Sequence, residues 1–560
     1  MNELTTTSSQ PVIILGGGIN GAALARELVL NDVPVVVVDK ADIASGTTAY
    51  SSRLIHGGLR YLEYGEFSLV RESLEERRRL LGLAPQFVRP LELFIPVGRR
   101  GGGWLAAPMR FLRGRSSAKH RERGLWLIRA GLWMYDGYAR DPGLPRHNVV
   151  RVGGPESLPI DPERYRWLCS YWDAQITYPE RFVVALLDDA RSLSVEKGVP
   201  FELLTYHEAR LVEGHVEIHR TGAADSQPVA RIEPAAIVNA TGAWVDRTLG
   251  QLGAGSQRLI GGTKGSHFLT FNRSLHEALD GRAVYAEAED GRPVFVLPLG
   301  DAVLVGTTDI PFEGDPSEAV ASDQEVDYLL EVVQRLMPQV RLTRDDIHMH
   351  YAGIRPLPYC DESIPGAITR RHWMEEHTDC HVPLYSIIGG KLTTCRSLAQ
   401  NAVHTILSRL GETPLTDSRD RFIPGGEAYP SSAEELAAEW DHLAQQSGLP
   451  RSSVQAIWSL YGTRCRTLLP SLGDASQKCI ADTDLPVAMA RWVIRHEWVN
   501  RLEDLVERRL MLLYQRQLSV ECLGELAQLL VEAGKLAVSD VDAHVAATID
   551  RLQRHFGIRF

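Results

Sequence analysis

Cysteine is scarce in this chain, with seven residues among 560. No two of them form a Cys-x-x-Cys pair, and their spacing fits neither a disulfide framework nor a zinc ribbon. The sequence therefore excludes a small disulfide-stapled scaffold, predicts no metal site, and indicates reduced thiols in a cytoplasmic setting. The cysteines are Cys169, Cys360, Cys380, Cys395, Cys465, Cys479 and Cys522.

Long apolar runs are also missing. No stretch of about 18 apolar residues occurs, so no segment is predicted to cross a bilayer. Met1 to Gln10 lacks the basic start and apolar core of a secretory signal, so we expect a cytoplasmic protein. The net charge of -11 argues against general nucleic-acid binding. At 560 residues with 44% hydrophobic residues, we expect a globular chain of two or three domains.

The acidic average conceals one strongly basic segment. Residues 99 to 129 hold nine Lys and Arg residues against one acid, Glu122, interleaved with apolar residues such as Trp104 and Phe111. Cations mixed with apolar anchors are typical of segments that lie on an anionic lipid surface. We therefore predict a lipid-facing segment here. The alternative is a solvated basic loop.

A glycine-rich motif stands near the start of the chain. The apolar run Val12–Leu15 leads into Gly16-x-Gly18-x-x-Gly21, then an Ala- and Leu-rich stretch, then Val35–Val38 and Asp39. This order predicts a strand, a phosphate-binding turn, a helix whose N-terminus faces the phosphates, and a buried strand. Asp39 then stands where a carboxylate can bind ribose hydroxyls. In this context the motif predicts dinucleotide binding.

The residues after this unit favour FAD over a nicotinamide cofactor. Ser45 to Gly58 is irregular where a nicotinamide enzyme would continue with further βαβ units. The segment Ser51–Glu63 reads Ser-Ser-Arg-Leu-Ile-His-Gly-Gly-Leu-Arg-Tyr-Leu-Glu. With it, the chain resembles the FAD-dependent glycerol-3-phosphate dehydrogenases, which usually have Lys in place of Arg53. Both residues are cations but differ at bidentate sites.

This resemblance implies an α/β fold with an α+β substrate domain. The expected architecture is an FAD-binding Rossmann-like fold of the glutathione-reductase/D-amino-acid-oxidase type, followed by an α-helical C-terminal domain. We predict a discontinuous FAD-binding domain at 1-83, 166-264 and 351-412, a substrate-binding, membrane-facing domain at 84-165 and 265-350, and the helical domain at 425-560. Helical periodicity over Ala433–Gln446, Val454–Leu460, Leu485–Leu513 and Val520–Gly534 supports the last of these.

Two further turns are expected at the flavin. A buried strand ends in Ala240-Thr241-Gly242, and Tyr385–Ile388 leads into Gly389-Gly390-Lys391-Leu392-Thr393-Thr394. The second places N–H groups and hydroxyls at a helix start, where they suit flavin polar atoms. The alternative is an ordinary glycine turn capped by threonine. The predicted cofactor-binding residues are Gly16, Gly18, Gly21, Asp39, Ser45, Ser51, Ser52, His56, Gly57, Gly58, Thr241, Gly242, Gly390, Leu392 and Thr393.

The resemblance also supplies candidate residues for chemistry. Arg60, Tyr61 and Arg370 are expected at the substrate phosphate, because Arg suits that group geometrically. His267, Arg355 and Lys391 are the predicted catalytic residues. His267 and Arg355, with Lys391 nearby, are expected to lie at the substrate hydroxyl.

His267 is predicted as the general base, because its unperturbed pKa of about 6.5 lies near working pH. Arg355 is predicted to stabilise the developing alkoxide, and the division of proton abstraction between the two stays open. The alternatives are a hydrogen-bonded structural histidine and an Arg355 that pairs with a carboxylate such as Asp361. His56 is expected to pack against the flavin rather than to bind it covalently.

The predicted function is oxidation of sn-glycerol 3-phosphate to dihydroxyacetone phosphate by hydride transfer to FAD, with electrons passed to membrane quinone. We expect a peripheral enzyme on the inner face of the cell membrane, with the oligomeric state open, a homodimer included. One alternative is an oxidase that reduces O2 to H2O2. Others are an amine or amino-acid oxidase, which would need fewer cations than Arg60, Arg355 and Arg370, and a non-catalytic flavoprotein. Arg508-Arg509-Leu510 stands where many family members have Arg-Arg-Thr, and nothing is inferred from it.

Overall fold

The structure is a computed structural model that describes residues 10–101, 124–222, 227–255, 257–359, 370–472, 478–516 and 518–560. The helices are α1 (Ile19–Leu30), α2 (Phe67–Leu83), α3 (Leu125–Ala139), α4 (Pro179–Lys197), α5 (Val245–Gln251), α6 (Arg273–Leu279), α7 (Asp323–Leu336), α8 (Cys395–Arg409), α9 (Ala433–Ser447), α10 (Arg451–Tyr461), α11 (Cys465–Ser471), α12 (Val487–His496), α13 (Val520–Glu532) and α14 (Val541–Phe556). The strands are β1 (Val12–Leu15), β2 (Val35–Asp39), β3 (Leu54–Ile55), β4 (Val88–Val97), β5 (Asn148–Arg151), β6 (Trp167–Ile176), β7 (Phe201–Thr205), β8 (His207–Val212), β9 (His215–Arg220), β10 (Ala230–Ile232), β11 (Ala236–Asn239), β12 (Thr263–Thr270), β13 (Ala283–Glu287), β14 (Pro293–Leu299), β15 (Ala302–Gly306), β16 (Ile310–Pro311), β17 (Ile347–Arg355), β18 (Trp373–His377) and β19 (Leu384–Ile388).

The first sheet is mostly parallel and has the strand order β18-β19-β11-β1-β2-β7. Its central strands are runs of Val, Ile and Leu buried on both faces, as parallel strands covered by helices require. Helix α1 connects β1 to β2 and packs against α4 and α8. The strand-turn-helix-strand unit predicted at the start of the chain is therefore present, and the carboxyl ends of β1, β2 and β11 meet at one edge.

The second sheet is larger and mostly antiparallel. Its order is β16-β12-β15-β14-β13-β4-β6-β3, with β17 paired to β12 and β5 paired to β6. Strands β3, β6 and part of β17 come from segments that were predicted for the FAD-binding domain, so the two predicted domains share this sheet. The physical reason is that β4 takes β6 as its antiparallel partner along its whole length, from Val88 opposite Ile176 to Val97 opposite Trp167.

The C-terminal region from α9 onward is helical, as predicted. Ser432 begins α9 by accepting a hydrogen bond from the Glu435 N–H at 3.1 Å. The predicted helical stretch Leu485–Leu513 is interrupted, because α12 ends at His496 and Trp498 has a left-handed backbone conformation. A π-helical turn then spans Asp504–Arg509. Within the described residues, no helix has the length and apolar character needed to span a bilayer.

Candidate active site

The glycine turn after β1 is as tight as its spacing predicts. A Cβ on Gly21 would lie 1.9 Å from the Gly16 carbonyl oxygen, and Gly16 itself has a φ of +106°. Neither position tolerates a side chain. The Gly17 N–H donates to an Asp39 carboxylate oxygen at 2.6 Å, so the turn and the end of β2 are joined directly. Burial raises the pKa of Asp39.

A cavity of about 700 Å³ runs along the carboxyl edge of the first sheet into the second sheet. Ligands of open α/β sheets bind at this edge. The predicted residues on its wall are Gly16, Gly18, Asp39, Ser45, Ser51, Ser52, His56, Tyr61, Thr241, Gly242, His267, Arg355, Arg370, Gly390, Lys391, Leu392 and Thr393.

Four predicted residues lie elsewhere. Gly21 sits beneath the turn, and Gly57 is buried with its N–H donating to the Tyr135 hydroxyl at 2.9 Å. A Cβ on Gly57 would meet Leu74 and that hydroxyl at 2.5 Å, so packing explains this glycine. Gly58 and Arg60 line an adjoining cavity of about 200 Å³.

The residues at the first cavity fit FAD. Gly390 has a φ of +106°, and a Cβ there would lie 2.5 Å from the Asn20 side chain, so the second turn lies directly against the start of α1. Asn20 Oδ1 is buried without a hydrogen-bond partner among the described residues. Together the two glycine turns and Asp39 make a cradle of the kind that a dinucleotide requires.

Arg355 and Arg370 share one carboxylate at the junction of the two cavities. Arg355 donates to Asp309 at 3.0 Å, to the Thr307 hydroxyl at 2.9 Å and to the Thr308 carbonyl at 3.0 Å. Arg370 Nη2 lies 3.9 Å from the other Asp309 oxygen. Asp361, the alternative partner considered for Arg355, lies outside the described residues. Asp309 was missed in the sequence, although its position after the buried strand β15 could have signalled it.

His267 lies beside these cations. Its Nε2 shares a hydrogen bond of 2.9 Å with Ser52 Oγ, and its ring stacks on Tyr351 with centroids 4.9 Å apart. Burial, followed by the charges of Arg355 and Arg53, lowers the pKa of His267 to about 3. This value lies well below the unperturbed pKa of about 6.5 on which the prediction of a general base relied, because the residue is 2% exposed.

Lys391 and His56 complete this region. Lys391 Nζ lies 4.1 Å from the centre of the Tyr61 ring, and burial lowers its pKa. The backbone N–H of His56 donates to Thr393 Oγ1 at 3.1 Å. Burial lowers the pKa of the His56 imidazole to about 4, so the ring is neutral at pH 7.

Arg53 makes structural contacts inside the protein. It forms a fully buried pair with Glu180 at 2.6 Å, and its guanidinium lies 4.2 Å from the centre of the Tyr514 ring.

The comparisons with known proteins define the class. Residues 11–396 match the FAD dependent oxidoreductase family, and residues 416–538 match the C-terminal domain of alpha-glycerophosphate oxidase. The chain belongs to the FAD-dependent oxidoreductases and is a flavoenzyme, which confirms the predicted cofactor.

Similar proteins narrow the family. A glycerol-3-phosphate dehydrogenase of Synechocystis sp. is 35% identical over 524 residues, covering 89% of this chain and 88% of the relative. A D-erythritol 1-phosphate dehydrogenase of Brucella abortus is 31% identical, covering 89% and 93%. The crystal structure of glycerol-3-phosphate dehydrogenase from Bacillus halodurans with FAD has a TM-score of 0.71 at 19% identity, covering 98% and 95%. Within its class, the chain belongs to the FAD-dependent glycerol-3-phosphate dehydrogenase family.

Proposed function

We propose that this enzyme oxidises sn-glycerol 3-phosphate to dihydroxyacetone phosphate. The observation that carries the proposal is the placement of Arg355 and Arg370 around Asp309, beside the Ser52–His267 pair, where two cavities meet. An anionic group and an adjacent hydroxyl are the two features such a site accommodates. The names of the relatives support the same substrate.

The phosphate end is assigned to Arg370 with Arg60 and Tyr61, which line the smaller cavity. Arg355 is held in one orientation by the Thr307 hydroxyl and the Thr308 carbonyl, so it presents a fixed charge to the substrate oxygen. A charge oriented in advance stabilises a developing alkoxide without reorganisation. Bound FAD supplies the two-electron acceptor for the hydrogen at C2.

The hydroxyl proton goes to His267. Nε2 is the receiving atom, because its partner Ser52 also lines the smaller cavity, whereas Nδ1 is buried without a partner among the described residues. Burial is the larger cause of the low pKa of His267 and the charge of Arg355 the smaller, so a bound phosphate dianion offsets only the second cause and raises this pKa in part.

Anaerobic reduction of the bound flavin tests this function. sn-Glycerol 3-phosphate is expected to bleach the oxidised flavin band; glycerol, which lacks the phosphate, is expected to do so only much more slowly, and a D-amino acid not at all. D-erythritol 1-phosphate measures selectivity among polyol phosphates. Bleaching by glycerol at an equal rate would contradict the role of the cations, and no bleaching by either phosphate ester would remove the proposed substrate class.

We further propose that electrons pass to membrane quinone and that the enzyme binds the inner face of the cell membrane. Helix α3 exposes Trp126, Trp133, Met134 and Tyr138, with Trp133 at 75% exposure. Exposed Trp and Met beside cations such as Arg129 are typical of a surface that lies in a lipid interface. The basic residues 102–123 lie outside the described residues.

Vesicle sedimentation and acceptor assays test this second proposal. Trp126→Ser with Trp133→Ser is expected to release the enzyme from anionic vesicles. Leu415→Ser, at an exposed apolar residue elsewhere, is the matched control and leaves binding unchanged. Equal binding by both variants would contradict the assigned face. Turnover that consumes O2 and is not accelerated by a quinone would favour the oxidase alternative.

A further inference from the structure

The helical C-terminal domain reaches the FAD cavity. Its π-helical turn Asp504–Arg509 lies at the carboxyl ends of β2 and β7, and Arg508 is on the cavity wall. The Asn500 side-chain amide donates to Thr205 Oγ1, at the end of β7, at 2.9 Å. The helical domain is therefore packed against the sheet edge that carries Asp39.

Two arginines of this turn hold one carboxylate of the FAD-binding unit. Arg509 donates to both Asp42 oxygens, at 2.7 and 2.9 Å, and Arg508 donates to one of them through Nε. The side chains of Asp42 and Arg509 are completely buried. Bidentate pairing of this kind fixes direction as well as distance.

A second layer balances the charge. Arg508 also pairs with Asp504 at 3.1 Å and Glu507 at 2.6 Å, and Arg551 pairs with Glu507 at 2.7 Å. With Asp42 and Arg509, three carboxylates meet three guanidinium groups. Buried ion networks of this size are weak sources of stability compared with apolar packing, so a role in orientation is the better explanation of their position.

Asp42 stands inside the segment that the cofactor requires. The Ala41 N–H donates to Asp39 at 2.8 Å, and the Ala44 N–H donates to the Gly17 carbonyl at 3.1 Å. Residues 41 and 44 thus link the ribose-side carboxylate to the glycine turn, and Asp42 lies between them. Movement of Asp42 would displace both parts of the cradle.

We propose that the helical domain is a positioning unit for the FAD site: Arg508 and Arg509 hold Asp42 and thereby keep Asp39 and the Gly16–Gly18 turn in the conformation that binds FAD. Arg509 is a positioning residue, since it does not line the cavity and acts through Asp42. The proposal rests on FAD binding and is independent of the substrate.

The chain offers a matched control. Arg181 of α4 forms another fully buried pair with the helical domain, donating to Glu497, which also accepts from the Tyr461 hydroxyl at 2.7 Å. This pair joins the same two parts of the protein but lies off the cavity wall. Arg509 Nε donates to the Glu497 backbone carbonyl at 2.8 Å, and Arg181→Gln leaves that bond and the Arg509–Asp42 pair in place. This variant therefore reports the effect of breaking a buried contact between the domains without loss of the Asp42 contacts.

The experiment compares Arg509→Gln with Arg181→Gln in the full-length apoprotein. FAD affinity is measured by fluorescence titration, and stability by thermal unfolding without FAD. We expect both variants to lower Tm, and Arg509→Gln alone to raise the Kd for FAD, by about tenfold or more, because the binding segment loses its preorganisation. Arg509→Lys, which keeps the charge, is expected to restore part of the affinity. An unchanged Kd for Arg509→Gln, or an equal rise for both variants, would overturn the proposal.

A milder variant covers the case in which Arg509→Gln does not fold. Tyr206→Phe removes only the hydroxyl that donates to Asp504. In the FAD-free full-length protein, we expect faster hydrogen exchange at residues 40–47 in this variant, with unchanged exchange in α4. Unchanged exchange at residues 40–47 would contradict the role assigned to the network.

Discussion

Replacing Arg370 by alanine tests the phosphate assignment most directly. Arg355 is held by contacts to Thr307, Thr308 and Asp309, whereas the carboxylate oxygen nearest to Arg370 among the described residues is 3.9 Å away. The Arg370 guanidinium therefore retains donors for a ligand. A hydrogen bond to a charged group contributes about 1.5–3 kcal/mol. Its loss should lower kcat/KM for sn-glycerol 3-phosphate by about ten- to a hundredfold.

The adjacent residue provides the control. Arg371 is 57% exposed and lies 3.6 Å from Glu66 and 3.1 Å from Ser68 Oγ. Arg371 also lines the first cavity, but its side chain contacts Glu66 and Ser68, so Arg371→Ala should lower kcat/KM far less than Arg370→Ala does. Both variants are assayed with an artificial electron acceptor, with glycerol as the substrate that lacks phosphate. Glycerol turnover should be unaffected by Arg370→Ala. A loss that is equal for both substrates, or equal in both variants, would refute the phosphate assignment.

Three further outcomes follow from the site. His267→Gln should slow flavin reduction about a hundredfold or more while FAD stays bound, and an unchanged reduction rate in stopped flow would exclude this residue as the base. In the folded protein the pKa values of His267 and His56 are about 3 and about 4, below the value of about 6.5 in the unfolded chain. Below pH 6.5 the unfolded chain therefore binds more protons than the folded protein, and the free energy of unfolding decreases as the pH falls. Urea unfolding at pH 5 should show a loss of about 2 kcal/mol for each histidine, and His267→Gln should remove its share. Gly21→Ala should abolish FAD binding, since its Cβ would lie 1.9 Å from a backbone oxygen, whereas Gly131→Ala, with open space around it, should bind FAD normally in the same titration.

The parts of the fold that the sequence predicts well are those with a local signature. Val12–Leu15, the glycine spacing and Val35–Asp39 each restrict the backbone within a few residues, and their order leaves one arrangement. The predicted boundary after residue 165 separates two paired strands, because the pairing of Trp167–Ile176 with Val88–Val97 has no local signature in the sequence.

The rest of the site depends on partners that are distant in sequence. Asp42 and Arg509 are separated by 467 positions, and the residues around each of them show no pattern that predicts a buried ion pair. The low pKa of His267 has the same origin, since it results from burial and from Arg355 on another strand. Charge and burial of this kind are set by tertiary packing, which residue spacing does not encode.

The separation of the FAD cradle along the chain has a consequence for synthesis on the ribosome. Asn20, at the start of α1 after the Gly16 turn, contacts the turn at Gly389 and Gly390. Asp42 pairs with Arg508 and Arg509, which are synthesised much later. At roughly 5–20 residues per second, about half a minute or more separates the emergence of the first glycine turn from that of the arginines. During this interval the nascent chain carries an incomplete cofactor site and an unpaired aspartate. If the helical domain positions the FAD site as proposed, truncated chains that end before Arg508 should bind FAD more weakly than the full-length protein.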